Sequence, residues 1–219
     1  MPRWSTLEIA NIEIVRKHCA HLIASCPAYP EVVGDRKIVR FLRGHNQDVE
    51  KVCLMMEKFL KWRADNSVDE VRANIVEKGC DHPLRFPKGE LILKLIPQLV
   101  ILPHATDKLG CPICVEQYNF IPAEVFQQIT MEEYILFVIY SLEYKSLIIE
   151  QLSEQREREY LNSLSDDERA NIDSINSTMP PYGVLANICV IRDLCKYYII
   201  YPLYMQCMCN PLRNNVCLS

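Results

Sequence analysis

Glycine is scarce in this chain, 6 of 219 residues, and no apolar run approaches the roughly 20 residues a membrane-spanning helix requires. The longest runs, Tyr134 to Tyr140 and Tyr197 to Met205, are far too short, so a soluble protein is expected. An excess of basic charge is missing too: 24 Lys and Arg stand against 28 Asp and Glu, for a net charge of −4. The cations are scattered among acids, and without a basic stripe to follow phosphates no nucleic-acid partner is expected. The N-terminus runs straight into a segment carrying Glu8 and Glu13 and lacks the apolar core of a secretory signal, which points to the cytoplasm. There is no G-x-S-x-G, no Walker loop and no pair of carboxylates that stands out from the acidic scatter. The expectation is therefore a non-enzyme without a cofactor.

Cysteine, by contrast, is abundant. The count of 11 is odd, the spacing irregular, and many of the residues fall at apolar positions of periodic segments. Such thiols pack as small hydrophobes and stay unpaired in a reducing compartment. Cys111 and Cys114 form a C-x-x-C, but zinc would need two more ligands, and Cys80, His82 and His104 are not spaced to supply them. No metal site is expected, and His18 and His21 read as surface residues. Cys217-Leu218-Ser219 places its cysteine third from the end, one position short of a prenylation box.

Apolar periodicity marks a helical first third. Leu7, Ile12, Val15, Cys19, Leu22 and Ile23 predict one helix over 6–25, halted by Pro27 and Pro30. A second runs from Asp35 to Gly44, with Gly44 expected to take the left-handed conformation past its end. Asp48 is placed to cap a third through Val52, Met56, Phe59 and Leu60 to about Ala64, with Trp62 expected to be buried. Ser67 and Glu70 read as a capping box for a fourth, ending at Gly79.

The pattern changes after Pro83, Pro87 and Pro97, which space out a connector. Leu99 to Leu102 predicts a strand, Asp107 to Gly110 a turn, and Cys111 to Tyr118 a returning strand. Thr130 to Tyr160 is a long helix, and the stretch from Glu150 to Arg169, rich in both signs, reads as a solvated face. Asn187 to Leu194 is a nearly continuous apolar run suited to a buried strand. On it Ile188, Val190 and Arg192 share one face by alternation.

Three of these segments resemble one family. Arg40-Phe41-Leu42-Arg43, followed by Asp48-Val49-Glu50-Lys51 and closed by Lys61-Trp62-Arg63, is similar to the N-terminal lobe of CRAL-TRIO proteins. Asp107-Lys108, Gly110 and Pro112 resemble the family's hairpin motif, and Asp193-Leu194 the end of its central strand. The resemblance implies an α/β fold with an N-terminal helical lobe over 1–80 and a lipid-binding lobe over 81–196, leaving 197–219 as a divergent tail. It further implies a carrier that holds a phospholipid or other lipophilic ligand in an apolar cavity and touches membranes transiently. By position, Ile188, Val190 and Arg192 correspond to the cavity face, Glu116 to an acidic site of the second strand, and Tyr144 to a Glu-Tyr pair of the long helix. Where phosphatidylcholine-binding members carry two hydroxyl residues this chain has Ile188 and Val190, and where phosphatidylinositol-binding members carry Arg-Lys it has His45 and Asn46. Only 25 residues follow Leu194, too few for the family's remaining parallel strands and their crossovers, so an incomplete lobe is expected, with impaired lipid binding. The alternative is an interaction module that docks on a protein or membrane surface without bound lipid. Arg192 is expected to pair with Glu116 or Glu143 or to bind an anionic lipid headgroup, the alternative being a wet face on which it is solvated.

Overall fold

Ser5 starts the first helix: its hydroxyl accepts from the Glu8 amide at 3.2 Å while the Glu8 carboxylate accepts from the Ser5 amide at 3.0 Å, a reciprocal cap. The structure, a computed structural model, describes residues 4–96, 98–99, 106–108, 110–117, 122–165 and 185–193, with only the backbone of 98–99, 116–117 and 191–193. The first predicted helix is two, α1 (Thr6–His18) and α2 (Ala20–Ser25), because Cys19 leaves helical geometry between them. A short α3 (Pro30–Val33) precedes α4 (Asp35–Gly44) and α5 (Val49–Asp65).

The turn between α4 and α5 is built differently from its sequence reading. Gly44 stays helical, and the left-handed positions are Asn46 and Gln47, at φ 54° and 63°. The Gln47 amide returns to the Leu42 carbonyl at 2.7 Å and its side chain accepts from Asn11 at 3.1 Å, so α1 helps hold this turn. Asp48 then caps α5 as expected, accepting from the Lys51 amide at 3.1 Å. Before α6 (Val68–Glu77) the expected capping box is absent, since Ser67 is itself left-handed and makes no side-chain cap. Gly79, at φ 72°, turns the chain away.

The stretch read as a plain connector contains a 3-10 turn (Pro83–Arg85) and α7 (Gly89–Leu95). Then follow β1 (Gln98–Leu99), β2 (Ile113–Gln117), α8 (Pro122–Val125), α9 (Met131–Ser163) and β3 (Cys189–Asp193). The strands lie in the order β1-β2-β3, antiparallel then parallel. At the predicted turn Asp107 accepts from the Cys111 amide at 2.7 Å, with Gly110 left-handed. Thr130 and Glu133 form a reciprocal cap at the head of α9. The described part is thus mostly helical with a small three-stranded sheet. Val100 to Leu102, Tyr118, Leu194 and the 197–219 tail, all named above, lie outside the described residues.

Two apolar cores organise these elements. One joins α1, α3, α4 and α5 around Val15, Ile38, Leu42, Val52 and Met56; the other joins α6, α7 and α9 around Ile75, Phe86, Ile92 and Phe137. Between them α9 docks through charge. Glu143, Glu150 and Glu157 recur every seven residues, close to two helical turns, so they form one stripe, and all three are buried. Arg63 of α5 donates to Glu143 at 2.7 and 3.0 Å, and Arg36 of α4 binds both Glu150 and Glu157. The stretch read as a solvated face is therefore, at Glu150, Ser153 and Glu157, the dock for α4.

Candidate functional site

Where α4 and α5 meet the middle of α9 and the start of β3, the surface opens into a groove of about 420 Å³. Its apolar wall comes from Phe59, Trp62, Ile139, Leu142 and Ile149, and its strand side from Ile188 and Val190. Trp62, Leu142 and Val190 are 40, 40 and 43% exposed, so they form a rim rather than a core. The expected burial of Trp62 is corrected here: α5 turns Met56 and Leu60 inward, leaving Trp62 at the groove mouth.

The polar lining is asymmetric. Glu31, Glu143 and Glu150 all reach the groove, and each is already bound by an arginine: Arg72, Arg63 and Arg36 respectively. The cations of the lining are Lys37, Arg40 and Lys145. Among the described residues Arg40 donates to neutral acceptors alone, namely Asn187 Oδ1 at 3.1 Å, Ser153 Oγ at 3.2 Å and the Ala186 carbonyl at 2.7 Å. Ser153 Oγ also accepts from the Ala186 amide at 2.9 Å, so this cluster fixes the approach to β3 against α4 and α9.

Lys37 is the exceptional member. Its Nζ lies over the Phe59 ring at 4.5 Å and the Phe41 ring at 5.8 Å, a favourable placement for a cation. Among the described residues no acceptor lies within hydrogen-bond reach of it. Burial pushes its pKa down to about 8; Glu143 opposes that shift, while Arg63 and Arg40 add to it. Burial likewise lowers the pKa of Arg40. Arg63 moves the other way: burial works against its charge, but the bonds from Glu143 and Asp69 outweigh it. That guanidinium is locked in structure.

Of the residues singled out from sequence, Ile188 and Val190 lie in the groove. Tyr144 does not line it; its ring packs edge-on to Phe86, 5.9 Å between centroids, in the second core, where burial raises its pKa. Glu116 and Arg192 are register partners across β2 and β3, but their side chains lie outside the described residues. Glu143, the other carboxylate offered to Arg192, belongs to Arg63. Lys37 and the seven-residue acidic stripe were missed. Their signal was four cations within the ten residues of α4 and three glutamates at constant spacing on α9, two of which Arg36 binds.

Cys111 and Cys114 are both buried, and the described cysteines, Cys19, Cys26, Cys53, Cys80, Cys111, Cys114 and Cys189, are all free thiols. Burial, helped by Cys53 and Glu57, pushes the Cys19 thiol up to about 11. No metal-binding cluster occurs among the described residues, and no helix there is long and apolar enough to cross a membrane.

The chain is similar to the SEC14 cytosolic factor of Eremothecium gossypii, 30% identical over 104 residues, which are 48% of this chain and 30% of that protein. The Sec14 cytosolic factor of Schizosaccharomyces pombe is 30% identical over 105 residues, 48% of this chain and 32% of its own length. A phosphatidylinositol/phosphatidylcholine transfer protein of Arabidopsis thaliana is 34% identical over 98 residues, 44% of this chain and 16% of that protein. No protein-family model matches the chain. Over about half its length, then, the chain is similar to Sec14-type phosphatidylinositol transfer proteins, the CRAL-TRIO group that residues 40–63 resemble, and it spans less than a third of each of these relatives.

Proposed function

We propose that this protein is a non-enzymatic lipid-binding or lipid-transfer protein that shelters the apolar part of a phospholipid or other lipophilic ligand in the groove between α4, α5, α9 and β3. The reading is carried by one observation: Ile188 and Val190, placed on the cavity face by the family resemblance, line an open apolar groove with Trp62 and Leu142. The similarity to transfer proteins over about half the chain supports the ligand class. Each methylene removed from water there contributes about 0.8 kcal/mol, which is sufficient drive for extracting a lipid without chemistry. In this reading residues 1–80 serve as the helical lobe, 81–196 as the α/β lipid-binding lobe, and 197–219 as a separate tail. Met131 and Ile135 on the first turns of α9, 50 and 49% exposed, support transient contact with a membrane surface.

The test is extraction of a self-quenched lysophospholipid with a fluorescent chain from donor vesicles. The 219-residue chain should relieve the quenching in proportion to its concentration, and Trp62→Asp should abolish this while the thermal midpoint changes little. An absence of extraction and of binding to any single- or double-chain lipid would sink the proposal.

A further inference from the structure

Resting on the lipid reading, we infer that the groove is selective for a single-chain amphiphile with an anionic phosphate or carboxylate head, the head bound by Lys37 with Arg40 and the chain laid along Trp62, Leu142 and Val190. All three carboxylates of the lining are held by arginines, whereas among the described residues Lys37 has aromatic faces for partners and Arg40 neutral oxygens. An ammonium carries three N–H donors, and ring faces accept none of them in the directional way an oxyanion does. Lys37 and Arg40 are three apart on α4, so they stand on one face, about 5–6 Å between Cβ atoms, a spacing that one phosphate bridges. The aromatic platform at 4.5 Å holds the Lys37 head in place ahead of binding, so little entropy remains to be lost.

The chain count follows from size. A methylene takes up about as much room as a water molecule, roughly 30 Å³, so the groove of about 420 Å³ holds about 14 carbon-sized groups. Between the described residues that is room for one acyl chain. The rim residues are apolar and Lys37 and Arg40 sit at the α4 side, so head and tail have separate places.

Titration calorimetry with the full chain tests both halves. The ligands are dodecyl phosphate, octyl phosphate, inorganic phosphate and the neutral monododecanoyl glycerol. Dodecyl phosphate should bind at least tenfold tighter than the neutral glyceride, and affinity should rise about two- to fourfold per methylene from octyl to dodecyl. Lys37→Gln should remove the preference for phosphate and leave glyceride binding unchanged, and Lys37→Arg should restore it; melting of Lys37→Gln at or above the wild-type temperature checks its fold, and Lys37→Arg keeps the test valid if it melts early. Equal binding of dodecyl phosphate and glyceride, unaffected by Lys37→Gln, would overturn the charge inference while leaving the lipid reading intact. Inorganic phosphate binding as tightly as dodecyl phosphate would overturn the amphiphile in favour of a free phosphate ligand. Binding of neither long-chain ligand would overturn both.

Discussion

Replacing Lys37 by methionine should make the ligand-free protein more stable. Its pKa stands at about 8 against an ordinary 10.5, which means that at pH 7 the fold carries a charge it would be better without. At 1.36 kcal/mol per unit the cost is about 3 kcal/mol, and water at the groove mouth screens part of it. The variant loses the contact with Phe59 and Phe41, worth about 0.5–2 kcal/mol, but keeps the stem's packing because methionine is similar in shape. A net gain of about 1–2 kcal/mol is expected, read as a higher urea midpoint at constant slope. Acidity supplies the internal control. The folded pKa lies below the unfolded one, so the unfolded chain holds more protons between pH 8 and 10.5, and the wild-type protein gains stability from this group as pH rises through that window. The charged groups facing it are Glu31 of α3, Glu143 of α9, Arg63 of α5 and Arg40 of its own helix. The advantage of Lys37→Met should therefore be full at pH 7, fade through that window and be small above about pH 10.5. A variant that is less stable at pH 7, or whose advantage is the same at both pH values, would refute the claim that this ammonium is held at a cost.

Arg63→Met should be severe, because it strands the buried Glu143 carboxylate and also releases Asp69; a loss of about 3–5 kcal/mol is expected in urea unfolding, and a loss under 1 kcal/mol would show that Glu143 finds other company. Thr130→Ala removes the hydroxyl that accepts from the Glu133 amide at 3.2 Å and should lower stability by about 1 kcal/mol, with early hydrogen exchange confined to the first turn of α9.

What the sequence determined by itself was local. Asp48 at the head of an apolar repeat and the Asp107 to Gly110 turn formed as read, because a cap or a turn is satisfied by atoms within a few residues of it. The apolar repeats of α1, α4 and α5 likewise placed Ile12, Val15, Leu42, Val52, Met56 and Leu60 in the core, although Leu7 of the same repeat is exposed. Reading failed where distant chain segments compete. Ser67 and Gly44 have the composition of cap residues, but Gln47 was drawn into its turn by Asn11, and Ser67 took a left-handed turn instead. Trp62 looked like core and became rim, because the side of α5 it occupies faces the groove and not α1. The Glu150 to Glu157 stretch looked solvated, since a carboxylate's burial depends on whether an arginine waits more than 100 residues away, as Arg36 does. The candidate site divides the same way. Alternation along β3 was enough to put Ile188 and Val190 on one face, but that Lys37 would stand beside them over Phe59, with no acceptor among the described residues, depended on how α4 packs against α9. Sequence spacing orders neighbours along the chain, whereas the charge left over in a groove is decided only when separate helices choose their ion pairs.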